Sequence, residues 1–144
     1  MFTAKDVMTL REMSGAGMMD CKKALVKADG DFDAAERLLK EMGLAAIANR
    51  QDRATDNGRV FVKVADTRAV LVELTCETDF VAGNAQFAEL GENICTVALE
   101  KGYNEVNDEL NGMVNDLITT IKENMSLKSV CLYEIGENEY ASSY

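Results

Sequence analysis

Val60-Phe61-Val62-Lys63-Val64-Ala65-Asp66-Thr67-Arg68-Ala69-Val70-Leu71-Val72-Glu73-Leu74 is the stretch on which the architecture turns. Val60, Val62 and Val64 alternate with Phe61, Lys63 and Ala65, and Val70, Val72 and Leu74 then alternate with Leu71 and Glu73. Period-two spacing over β-branched residues predicts two half-buried strands. Asp66-Thr67 between them reads as a tight hairpin turn. A third strand-like run, Val130-Cys131-Leu132-Tyr133-Glu134-Ile135, lies near the end of the chain. Between the hairpin and that run the period is helical. Phe87, Leu90, Ile94, Val97 and Ala98 form one stripe, and Leu110, Met113, Val114, Leu117, Ile118 and Ile121 form another, with a loop over Gly102–Asn107. Two helices covering one face of a small antiparallel sheet make an α+β layer. Gly136 to Tyr144 carry no period and read as a frayed or cut-off end.

The residues before the hairpin read as three short helices. Thr3 with Asp6 forms an N-cap pair, and Ala4, Val7, Leu10 and Met13 follow at three-residue spacing. Ser14-Gly15-Ala16-Gly17 breaks that helix. A second helix runs from about Met18, with Cys21, Ala24, Leu25 and Ala28 as its stripe, and Gly30 stops it. Asp31 to Asp33 supply the cap of a third helix, with Phe32, Ala35, Leu38, Leu39 and Met42 inward. Asn49 to Gly58 is polar, lacks a stripe and reads as the linker. The division expected is a small helical module over 1–53, with linker to about 58, and an α+β part over 54–144.

Composition narrows the function classes. The net charge of −10 is carried by residues 54–144, where sixteen acidic side chains face six basic ones; residues 1–53 balance at nine each. That sign repels a phosphate backbone, and no Lys/Arg stripe offsets it, so no direct nucleic-acid partner is expected. No apolar run approaches the roughly 18 to 20 residues of a membrane span. The first residues resemble neither a signal peptide nor a transit segment, so no membrane association is expected and the default location is cytoplasmic. Cys21, Cys76, Cys95 and Cys131 are widely spaced and read as buried reduced thiols. With no histidine in the chain, Cys/His metal sites and His-dependent nucleophiles drop out, and no Gly-rich phosphate loop is present. No cofactor, no metal and no catalytic residue is expected; an enzyme is the least favoured class.

Two blocks carry chemistry. Leu10-Arg11-Glu12-Met13-Ser14-Gly15-Ala16-Gly17-Met18-Met19-Asp20-Cys21-Lys22-Lys23-Ala24-Leu25 is helix, glycine turn and helix, and only one of Met18 and Met19 can point inward. Taken alone it is core filler or an adaptable binding surface. Glu73-Leu74-Thr75-Cys76-Glu77-Thr78-Asp79-Phe80-Val81-Ala82 leaves strand alternation at Thr78. Taken alone, Asp79 caps the next helix and Phe80 staples against its first turn; the competing reading offers Phe80 to a partner.

Together, in this order and at this separation, the two blocks resemble the signature regions of the bacterial elongation factor Ts family. The resemblance extends over Gly30-Asp31-Phe32-Asp33-Ala34-Ala35, Leu39 to Arg53 and Ser143-Tyr144. Thr75 and Gly83 depart from the residues usual there. The resemblance implies that 1–53 is a three-helix, ubiquitin-associated-like (UBA-like) module. It implies that 54–144 is the first half of a two-part core, a three-stranded sheet packed with two helices. It implies exchange of guanine nucleotide on elongation factor Tu. In that role Thr78, Asp79, Phe80 and Val81 form a tip that enters the GTPase domain beside its magnesium site. Arg11, Met18, Met19 and Lys22 lie against the same domain. A half-core leaves sheet surface that a second copy covers, so a homodimer is expected. The competing functions are a UBA-like peptide- or protein-binding module, and an elongation factor Tu binder without efficient exchange.

Overall fold

The computed structural model describes residues 1–144. It is α+β, with six helices and one three-stranded antiparallel sheet. The chain divides into two units, Met1–Asp52 with Thr119–Lys122, and Arg53–Ile118 with Glu123–Tyr144.

The first unit contains α1 (Ala4–Ser14), α2 (Met18–Lys27) and α3 (Phe32–Arg50). Thr3 and Asp6 close a capping box on α1. The Thr3 N–H donates to Asp6 Oδ2 at 2.7 Å and the Asp6 N–H donates to Thr3 Oγ1 at 3.3 Å. The Thr3 N–H holds the Asp6 carboxyl below its ordinary pKa. Gly15 ends α1 at φ 70°, a left-handed conformation that suits glycine. Asp31 caps α3 through the Ala34 N–H. Val7, Leu10, Cys21, Ala24, Leu25, Ala35 and Leu39 form one core, with Phe2, Phe32 and Leu38 packed on it. The α1 stripe is shorter than its spacing implies, since Ala4 and Met13 are exposed. Strict three-residue spacing drifts about 60° per step around a 3.6-residue helix, so the ends of such a row swing off the buried face. The linker is also shorter than Asn49–Gly58. Helix α3 runs to Arg50 and the first strand starts at Asn57, leaving 51–56.

The second unit is built on β1 (Asn57–Val64), β2 (Arg68–Cys76) and β3 (Met125–Glu134), in that order across the sheet. The Asp66-Thr67 turn forms as its sequence predicts, the Ala65 N–H donating to the Arg68 carbonyl at 2.8 Å. The unit holds α4 (Asp79–Ala82), α5 (Ala85–Lys101) and, as far as Ile118, α6 (Asp108–Ile121), three helices where the sequence pattern predicts two. The extra one, α4, is a single turn, too short to carry a stripe. Helix α5 runs against β1 and β2 and buries Phe87, Leu90, Ile94, Cys95 and Ala98; α6 buries Leu110, Val114 and Ile118. The covered sheet face presents Phe61, Val70, Val72, Leu74, Leu127 and Val130.

Strand β3 begins at Met125, five residues before the run that announced it. Its inward residues Leu127 and Val130 are three apart, which breaks period two. The cause is a bulge: Glu73 pairs with Ser129 and Leu74 with Leu127, so Lys128 is the extra residue.

Phe61 is the inward aromatic of β1. Its ring lies 6.1 Å from that of Phe87, and the Arg59 guanidinium sits 5.1 Å from its centroid. Gly91 on α5 leaves the room, because a Cβ there would fall 2.3 Å from a Phe61 ring carbon. Gly91→Ala is therefore expected to destabilise the second unit by about 1–3 kcal/mol through overpacking. Against it stands a gain of about 1 kcal/mol from better helix propensity, so the net loss expected is up to about 2 kcal/mol. Urea denaturation monitored by far-UV circular dichroism measures it; a more stable variant would rule out tight contact between Gly91 and the ring.

Candidate functional site

Strand β2 delivers the chain to the segment Glu77 to Gly83. Thr78, in extended conformation at φ −127°, is the N-cap of α4, its Oγ1 accepting from the Val81 N–H at 3.4 Å. The Ala82 N–H donates to the Thr78 carbonyl and the Gly83 N–H to the Asp79 carbonyl, at 3.2 and 3.0 Å. Asn84, accepting from the Gln86 N–H, caps α5 immediately afterwards. The capping reading of this block is thus corrected in one respect: Thr78, not Asp79, is the cap.

Phe80 does not staple. It is 86% exposed, whereas Val81 is buried at 7%. Successive helical residues are about 100° apart, so one turn can bury one side chain of such a pair. The smaller, branched Val81 takes the inward position and Phe80 projects. Asp79 is exposed beside it.

The tip is held from a distant segment. Glu123 accepts twice from Thr78, from its N–H at 3.0 Å and from its hydroxyl at 2.8 Å. Glu77 accepts from the Asn124 N–H at 3.0 Å and pairs with Arg53 at 3.5 Å. The Asn124 amide donates to the Arg53 carbonyl at 2.7 Å, and that of Asn57 to the Glu77 carbonyl at 3.0 Å. Cys76 lies beneath, its thiol donating to the Thr78 carbonyl at 3.1 Å. Burial pushes that thiol upward and the nearby Glu123 charge adds to the shift. Burial likewise pushes Cys95 to about 11. A thiol shifted in this direction offers less of the nucleophilic thiolate. Cys131 is only half-buried, unlike the other three cysteines. Among the residues that hold the tip, Glu77 lies in the second block quoted from the sequence, but Arg53, Asn57, Glu123 and Asn124 lie in neither block. Glu77 and Asn124 are 47 residues apart, and no local pattern links them.

The remaining candidates belong to the first unit. Arg11 is exposed on α1, and Met18, Met19 and Lys22 are exposed on the first turns of α2. Met18 and Met19 are 46% and 63% exposed, so neither fills the core that Cys21, Ala24 and Leu25 complete. At three- and four-residue separations, both methionines neighbour Lys22 on the helix surface.

Residues 77–144, which begin at this tip, match the family model described as Elongation factor TS. The chain is 48% identical to elongation factor Ts of Treponema denticola over 141 residues, which are 98% of this chain and 50% of that protein. It is 47% identical to that of Treponema pallidum, covering 98% of this chain and 52% of the relative. With the Borreliella afzelii protein the identity is 41%, over 97% of this chain and 50% of the relative. The chain spans about half the length of the curated relatives it matches. It belongs to the elongation factor Ts family.

Proposed function

We propose that this chain works in translation elongation as a guanine-nucleotide exchange factor, releasing GDP from elongation factor Tu by inserting the Asp79-Phe80 tip near the GTPase magnesium site. The observation that carries the reading is Phe80, an aromatic 86% exposed on a turn whose cap and inward neighbour are both fixed. A Phe buried between partner helices gains about 1.5–3 kcal/mol. If it fits only once those helices have moved, that energy favours a nucleotide-poor state. Mg²⁺ keeps a strict octahedral shell, so small shifts at its ligands weaken nucleotide binding. Coupling is reciprocal, so rebound nucleotide expels the exchange factor. No bond is made or broken; the chain acts without catalytic residues or a cofactor, and in the cytoplasm.

Residues 1–53 serve in this reading as a UBA-like module, with Arg11, Met18, Met19 and Lys22 against the same GTPase domain; 54–144 supply the first half of the core and the tip. Exposed methionines suit an adaptable protein surface. The test is release of fluorescent GDP from elongation factor Tu on addition of the chain. Acceleration is expected. Binding without acceleration would favour a binder that exchanges poorly, and no binding at all would leave the UBA-like peptide-binding reading.

A second reading concerns assembly. The sheet face away from α5 carries Val60, Val62 and Tyr133, which are 57%, 38% and 57% exposed, together with half-buried Val64, Leu71 and Cys131. A contiguous apolar face of this kind favours a covering partner, and a second copy meets the need by self-complementarity. Light scattering at tens of micromolar is expected to give twice the chain mass, reverting to one chain mass in Val62→Lys. A single-chain mass for the unmodified protein would refute the homodimer.

A further inference from the structure

Helix α4 has four residues, far below the length at which a helix holds itself. The orientation of Phe80 must come from tertiary contacts, and Phe80 makes almost none of its own, being 86% exposed. The contacts belong to Thr78, two positions earlier, and their source is Glu123, which just precedes β3. Its carboxylate takes both hydrogens that Thr78 offers, at 3.0 and 2.8 Å. The Thr78 hydroxyl is thereby turned so that its lone pairs remain free for the Val81 N–H. Glu77 returns the grip by accepting from the Asn124 N–H at 3.0 Å. Each segment thus presents a carboxylate to the other's backbone. The clasp lies just past the end of the ladder, whose final pair is Cys76 with Met125. Hydrogen bonds to an ionised acceptor are about twice as strong as neutral ones, and all these groups are buried or half-buried except Arg53.

We infer that Glu123 is a positioning residue for the exchange tip: through Thr78 it keeps the Asp79-Phe80 turn in its insertion-ready orientation before a partner arrives. Without it the turn samples other orientations, and only a fraction of molecules is competent to bind. Apparent affinity falls by that fraction, while the bound complex is the same. The functional consequence rests on the exchange reading; the clasp itself does not.

The experiment is nucleotide release measured against concentration of the chain, with wild type, Glu123→Ala and Glu123→Gln. Glu123→Ala is expected to raise the half-saturating concentration roughly tenfold, as for a competent fraction near one tenth. Its maximal rate should stay within about twofold of wild type, because Phe80 is untouched once seated. Glu123→Gln, which keeps one acceptor oxygen for Thr78 and loses the charge, should move the same way by less. It also decides the matter if Glu123→Ala fails to fold. Unchanged half-saturation in the folded variants, or loss of maximal rate alone, would overturn the proposal. Amide hydrogen exchange keeps the two readings separable. If wild type releases no nucleotide, the exchange reading fails, and the clasp is then judged on the Thr78 and Val81 amides. Faster exchange in Glu123→Ala supports it, and unaltered protection at both amides sinks it.

Discussion

Phe80→Ala is expected to slow release of GDP from elongation factor Tu by roughly 10- to 150-fold, the equivalent of the 1.5–3 kcal/mol that a buried Phe contributes. The same substitution should leave the chain's own stability within about 0.5 kcal/mol, as for a surface change away from caps and cores. The asymmetry follows from the position of the ring. At 86% exposure it contributes little to this fold, so whatever it contributes is made elsewhere. The loss should appear in the maximal rate, because the ring acts only once the complex has formed. That separates Phe80→Ala from Glu123→Ala, whose effect falls on half-saturation. Stopped-flow release with a fluorescent GDP analogue, over a range of chain concentrations, measures both quantities. Equal maximal rates for wild type and Phe80→Ala would remove the wedge from the mechanism, even if exchange itself were intact.

How far the sequence discloses this site depends on how local each determinant is. The Thr3–Asp6 box, the Asp31 cap, the Asp66-Thr67 turn and the Gly102–Asn107 loop are set over a few residues, and all form where the pattern places them. The phase of β1 is different. Val60, Val62 and Val64 alternate with Phe61 and Lys63, but alternation does not say which set turns inward. Phe61 does, because Gly91, thirty residues later, leaves space for its ring. The start of β3 was hidden by the Lys128 bulge, which sets Leu127 and Val130 on one face at a spacing proper to neither strand nor helix.

The tip combines both cases. Departure from strand pattern at Thr78 is legible, and so is an acid beside an aromatic. Choosing between a packed and a projecting Phe80 is not, because Val81 competes for the same inward position and wins by shape. The family resemblance favoured projection, and the 86% exposure agrees with it. Glu123 and Asn124 stayed silent for a further reason. They lie beyond a bulged strand, and nothing in their own neighbourhood marks the segment as the partner of Glu77 and Thr78.

Phe87→Ala is the stability counterpart. Phe87 is fully buried on α5, with its ring 6.1 Å from that of Phe61. Truncating a buried Phe costs about 3–5 kcal/mol, a transfer loss plus the cavity left behind. That is a large share of the roughly 5–15 kcal/mol by which a whole domain is stable. At about 4–8 °C per kcal/mol for a domain of 60–100 residues, the melting temperature of the second unit should fall on the order of 15–30 °C. Helix α5 starts at Ala85, and Gly83 and Asn84 are all that separate it from α4, so the anchoring of Phe87 is also the anchoring of the tip. Exchange by Phe87→Ala should therefore be near normal well below its new melting point and vanish above it. Phe80→Ala should be slow at every temperature. Two phenylalanines seven residues apart thus predict opposite pairings of stability and activity. Thermal scans by circular dichroism, run beside release assays at two temperatures, read out both. A Phe87→Ala chain that melts like wild type would mean that its ring is not part of the core. One that stays slow while folded would mean that the ring acts on the partner rather than on this fold.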